Sequence, residues 1–191
     1  MLPLARDELV LVRHAPADSG GRVCGRRDVA ALLDPAALAA LSRGLADCGA
    51  VVSSPALRCR QTASALFPGR HVPTDARLWE QDFGTQEGAL AQDLPDLGDL
   101  NRTSLAALSA PGGESFAQMA ARAGPALADL AVQARAAGPV AVVAHAGTVR
   151  AGLALALGDI PAALAFEIAP LSVTRLRCLP GGFSIICVNA V

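Results

Sequence analysis

Two of the three histidines in this 191-residue chain each close a short apolar run. Residues 8–13, ELVLVR, lead into His14, and residues 140–144, VAVVA, lead into His145. Arg13 precedes His14, and Arg58 lies just past a third run, AVVSS at 50–54. A hydrophobic core rejects such side chains unless they are partnered, so they gather where the runs end. A neutral imidazole is a competent nucleophile toward phosphorus, whereas a phosphate monoester is a dianion that must first be bound and partly neutralised. Arginine does this with a planar fork that matches phosphoryl oxygens. The departing alkoxide then needs a proton from an acid whose pKa is raised by its site.

Short apolar runs bounded by turn residues read as strands buried on both faces of a parallel sheet. Asp34-Pro35 supplies an N-cap and a proline at the first helical position, opening a helix with Leu38, Leu41 and Leu45 on one face and Gly49 at its end. Ser54-Pro55 is expected to open a second helix in the same way, through ALRCRQTASALF to Pro68-Gly69. Residues 114–137 have helical spacing, with Gly124-Pro125 expected to bend or split the helix. TVRAGLALALG is the helix after the third strand. LSVTRLRC and FSIICVN alternate around Pro180-Gly181-Gly182 as an antiparallel hairpin at a sheet edge. The sum is α/β, a three-layer α/β/α sandwich with a mixed, mostly parallel sheet. In open sheets of this kind ligands bind beyond the carboxyl ends of the strands, so Arg13-His14, Ser53-Ser54 and His145 are expected to border one crevice. Arg58, in the first turn of its helix, should converge there, whereas Arg60, rotated about 200° around the axis, should be solvated.

Length and the absence of a linker or repeat point to one domain over residues 1–191. The net charge of −1 comes from nearly balanced acids and bases, and the basic residues, all arginine, are spread along the chain. That argues against nucleic acid as a partner. The five cysteines are odd in number and lack C-x-x-C spacing, as expected of reduced thiols in the cytoplasm. MLPLARDELV places Arg6, Asp7 and Glu8 where a secretion signal needs apolar residues, and His145 and Arg150 interrupt the most apolar later stretch. Neither a signal nor a membrane association is indicated.

Five segments in order resemble those of the histidine phosphatase superfamily, with its phosphoglycerate mutase-like fold. VRHAP resembles the Arg-His-Gly signature with Ala15 in the glycine position. SSPALRCRQTA, residues 53–63, resembles S-x-x-x-R-x-x-x-T-A with Ala56 where leucine is usual. LWEQDFGTQEG, residues 78–88, resembles L-x-E-x-x-F-G-x-x-E-G. PGGES, residues 111–115, matches a helix-opening motif, and VVAHAGTVR carries the second histidine, with Ala146 in place of the commoner glycine. The resemblance covers most of the chain and implies a metal-independent phosphatase without a cofactor, in which His14 is transiently phosphorylated. It implies that Arg13, Arg58, His145 and the backbone N–H of Ala146 bind the phosphoryl oxygens of a small phosphorylated metabolite. Glu80 would protonate the leaving group and then activate water. A narrower resemblance, to alpha-ribazole phosphatases of cobalamin assembly, rests on GRVCGRRD (21–28) and QDFGTQEG. Gly21, Gly25 and Asp28 fit its G-x-C-Y-G-x-x-D loop, while Val23-Cys24 replaces Cys-Tyr and Gln86 replaces a tryptophan.

Asp82 and then Glu87 compete with Glu80 as the acid. Glu114 is read as opening a helix near its positive end, and His71, after a Pro-Gly turn, as a surface residue. A metal site on the two histidines is disfavoured, because no H-x-x-x-H or H-x-H spacing exists and the flanking arginines repel a cation. Two alternatives to hydrolysis stand beside it. One is phosphoglycerate mutase-type transfer, for which the chain is short. The other is a module that recognises phosphate without turnover. The sequence leaves the oligomeric state open.

Overall fold

The structure, a computed structural model, describes residues 3–191. Five strands form one sheet in the order β2-β3-β1-β4-β5. They are β1 (Glu8–Arg13), β2 (Ala50–Ser53), β3 (Val140–Ala144), β4 (Val173–Leu179) and β5 (Gly182–Ala190). β1 and β2 both pair parallel to β3, and β4 alone runs against the others, antiparallel to β1 and β5. β4 and β5 form the expected edge hairpin, turning through Pro180 and Gly181.

The apolar runs alternate, so each strand feeds both faces. Leu9 and Leu11 join Met119, Leu127 and Leu153 in one cluster, under α4 (Phe116–Ala137) and α5 (Ala146–Leu157). Val10 and Val12 join Leu38, Leu45, Cys59 and Leu66 in the other, under α1 (Pro35–Gly44) and α2 (Leu57–Leu66). The result is the expected helix-sheet-helix sandwich. Arg13 lies opposite Ala144 and Ser53 opposite Val143, so the strands carrying His14, Ser54 and His145 end level with one another.

Several local expectations shift. Asp34 caps α1 as anticipated, accepting from the N–H groups of Ala36 and Ala37. The helix ends at Gly44, though, and the chain reaches Gly49 through turns at Leu45 and Cys48. α2 starts two residues after Pro55, and Ser54 is not its cap. Instead Asp28, from the distant Gly/Arg-rich loop, accepts from Leu57 N–H at 2.6 Å. α4 runs unbroken through Pro125, which sits on its exposed side; the buried Ala123, Ala126 and Leu127 hold the opposite face against the sheet. A short helix, α3 (Arg102–Ala107), capped by Asn101, precedes α4.

Candidate active site

His14 is 6 % exposed. Its Nδ1 lies 2.6 Å from the carbonyl oxygen of Ala15, a contact that requires a proton on Nδ1. Nε2 is therefore left with its lone pair, where it accepts from Arg58 Nε–H at 3.3 Å. Burial, reinforced by Arg58 and Arg13 against the Ala15 hydrogen bond, depresses the His14 pKa to about 3. At neutral pH the ring is thus an uncharged base with Nε2 available.

Arg58 is only 1 % exposed, although it carries a full charge on the first turn of α2. Its guanidinium donates to the carbonyls of Cys24, Gly25 and Arg27, and one Nη2 contact reaches His145 Nδ1 at 3.2 Å. Arg60 is exposed, as helical geometry requires. Arg13 lies on the other side of His14 and donates through Nη1 to the Ile168 carbonyl, while its Nε is buried without an acceptor among the described residues. Burial lowers the Arg13 pKa, opposed by Glu80 and aided by Arg150 and Arg58.

His145 is fully buried at the N-cap of α5. Its Nε2 meets Ser54 Oγ at 2.8 Å, and its ring lies edge-on to that of His14 at 5.2 Å. Trp79 stacks parallel to it at 6.4 Å. Burial first, then Arg58 and His14, hold its pKa well below the ordinary value. Arg58 can only donate, so His145 Nδ1 accepts from it and the ring proton sits on Nε2, which donates to Ser54 Oγ.

The carboxylates separate by what they hold. Glu80 borders the same pocket as His14, accepting from the N–H groups of Gly147 at 3.2 Å and Gln81 at 3.0 Å. Gly147 permits this approach: a Cβ there would stand 2.1 Å from Glu80 Oε1. The Asp82 carboxylate instead accepts from Gly84 N–H and is not among the pocket's lining groups. Glu87 grips the backbone N–H groups of Gly25, Arg26 and Arg27, with a fourth bond from Phe83. It thereby fixes the loop whose carbonyls cradle Arg58. Glu114 does not cap α4; Ser115 does, in a reciprocal capping box with Gln118. Glu114 bonds Arg122 at 2.7 Å and lies 3.6 Å from Arg26. Its pKa, which burial would raise, is lowered by Arg122 and the Asp82 N–H.

The resulting cleft has a volume of about 370 Å³ and brings together Arg13, His14, Arg58, Glu80 and Ala146. His145 borders it only through its contact with Arg58, and His71 is exposed away from it. Arg22 and Arg150 also line the cleft and were not singled out from sequence. The spacing of Ala146 and Arg150, four apart on one helix, was the available signal for the second. Among the described residues no group of three or more His, Cys, Asp and Glu side chains could hold a metal ion. No helix among them is long and apolar enough to cross a membrane.

A buried pocket pairing a neutral histidine with uncompensated guanidiniums is what phosphoryl transfer through histidine requires. Residues 9–191 match the family described as the histidine phosphatase superfamily (branch 1). The chain belongs to that superfamily and is a phosphomonoesterase, a hydrolase of the histidine phosphatase type. Among solved structures, a mycobacterial protein described as hydrolase 1 is 27 % identical, with TM-score 0.83 over 96 % of this chain and 98 % of that one. Mycobacterial glucosyl-3-phosphoglycerate phosphatase in complex with VO3 is also 27 % identical, with TM-score 0.83 over 97 % of this chain and 100 % of that one. Phosphoserine phosphatase from Entamoeba histolytica, 20 % identical with TM-score 0.81 over 95 % and 96 %, shares the fold. A comparison with curated proteins gives no match.

Proposed function

We propose that this chain hydrolyses a small phosphomonoester through a phosphohistidine on His14, without metal or cofactor. The observation that carries the reading is the burial of Arg58 beside His14 Nε2 with only neutral acceptors around it. A buried cation is ordinarily paired with an anion, and a dianionic phosphoryl group would supply one. Arg13, Arg58 and the Ala146 N–H at the start of α5 then hold its oxygens. His145, accepting from Arg58 at Nδ1, holds that guanidinium in place.

His14 Nε2 attacks phosphorus, the bond to the ester oxygen breaks, and Glu80 delivers its proton to the leaving alkoxide. The Glu80 carboxylate next takes a proton from water, whose oxygen attacks phosphorus and breaks the P–N bond. Orthophosphate and neutral His14 result. The near-complete overlap with a mycobacterial hydrolase and a mycobacterial phosphatase favours water over a second substrate molecule as acceptor.

Gly25 and Asp28, which match the narrower alpha-ribazole motif, here serve the loop: a Gly25 Cβ would stand 1.9 Å from the Gln81 carbonyl oxygen, and Asp28 caps α2. They therefore bear on loop geometry more than on substrate choice. Alpha-ribazole 5'-phosphate and glucosyl-3-phosphoglycerate both belong in the substrate panel. The five cysteines, odd in number and without C-x-x-C spacing, support a cytoplasmic setting that cell fractionation would check. The test of the activity is phosphate release from p-nitrophenyl phosphate and the panel, in the presence of a chelator. Release is expected from wild type and a loss of about 10⁴-fold or more from His14→Ala. Binding without release would make the chain a recognition module, and isomerisation of 3-phosphoglycerate would make it a mutase.

A further inference from the structure

Beside the phosphate cleft lies a second cavity of about 420 Å³, between α3, the 89–113 segment and the turn at 161–165. The two share Gln81, Phe83, Phe116, Arg150 and Leu164, so they adjoin along that wall. The far wall is Leu94, Leu97, Leu105 and Leu108. Leu97 is 47 % exposed and Leu105 and Leu108 are each 41 % exposed. Ala106 is buried in the core cluster that also holds Phe116, while Leu105 on α3 and Leu108, the residue that ends it, are exposed.

We infer that this cavity is the leaving-group subsite, and that the natural substrate is the phosphate ester of an apolar alcohol. The inference rests on the hydrolytic reading of the His14 cleft and deepens it. In-line displacement puts the leaving oxygen opposite the attacking nitrogen. Glu80, which supplies its proton, marks that side, and the adjacent Gln81 lines both cavities. A substrate held there therefore projects its alcohol portion past Phe83 and Phe116 toward the leucines. Apolar contact with that wall is made in the ground state and the transition state alike, so it lowers KM more than it raises kcat.

The experiment measures kcat/KM for ethyl, butyl and hexyl phosphate, whose leaving alkoxides are of similar basicity, and for hexane-1,6-diol monophosphate. Rate constants should climb roughly two- to fourfold per methylene, and the terminal hydroxyl should reverse most of the gain. Leu97→Ser and Leu105→Ser should each flatten the climb, whereas Val132→Ser, on the exposed side of α4, should leave it as it is. Leu97 lies outside the helices, so its variant and the wild-type diol comparison decide the matter even if Leu105→Ser misfolds. Phosphate release from every ester with no dependence on chain length would overturn the subsite and leave the hydrolase intact. A climb that persists in both leucine variants would also overturn it. Release from none of the esters or from p-nitrophenyl phosphate would overturn the subsite together with the hydrolytic reading.

Discussion

At the start of β1, Glu8 is fully buried and meets the guanidinium of Arg175 at 2.7 Å, with Arg177 3.5 Å away. At the end of the same strand, His14, next to Arg13, meets a buried Arg58, and among the described residues neither arginine has a carboxylate within 4 Å. Both ends remove charge from water. One end balances the charge within the fold, whereas the other leaves a cationic site held open by carbonyls and imidazoles. The first arrangement serves stability, and the second is complete only when an anion enters.

Glu80→Gln tests the pocket end most severely. An alkyl phosphate departs as a strongly basic alkoxide, while p-nitrophenolate leaves without help. The variant should slow the phosphoryl-transfer burst for an alkyl monoester by about 10²- to 10⁴-fold, and far less for p-nitrophenyl phosphate. Equal losses would assign Glu80 to binding or structure, and Asp82→Asn would then be compared. Next in size is Arg58→Ala, expected to lower kcat/KM by roughly 10²- to 10³-fold, against little change for Arg60→Ala. Equal effects of the two would remove the basis for separating the helix faces.

The opposite end of β1 should answer in stability instead. Glu8→Gln removes the buried carboxylate that meets Arg175 and Arg177, and unfolding free energy should fall by about 3–5 kcal/mol. Denaturant titration measures this, and kcat/KM of the folded fraction should stay within a few-fold. A large kinetic defect in folded Glu8→Gln protein would erase the contrast between the two ends.

What the sequence made legible was what neighbouring residues decide. The apolar runs gave β1, β2 and β3, Asp34-Pro35 gave the start of α1, and the 3.6-residue period separated Arg58 from Arg60. The strand-end rule brought His14 and His145 together. Hidden from sequence were the bonds between distant segments. Ser54 looked like a cap because its neighbour is proline, but its hydroxyl serves His145, 91 residues away, and Asp28 takes over the helix end. The Glu87 carboxylate had no local reason to look structural, since its partners at Gly25, Arg26 and Arg27 lie about 60 residues earlier. Pro125 looked like a break because local rules do not register the packing that keeps α4 one continuous helix across it.

The most direct measurement is the covalent state of His14 during turnover. Wild-type protein should be mixed with p-nitrophenyl phosphate, quenched in alkali within milliseconds, and digested for mass spectrometry. The expected result is a phosphoryl group on the peptide carrying His14, stable to base, lost in acid, and absent from His14→Ala. Steady phosphate release with no phosphorylated His14 at any quench time, or undiminished release by His14→Ala, would contradict nucleophilic catalysis by this histidine.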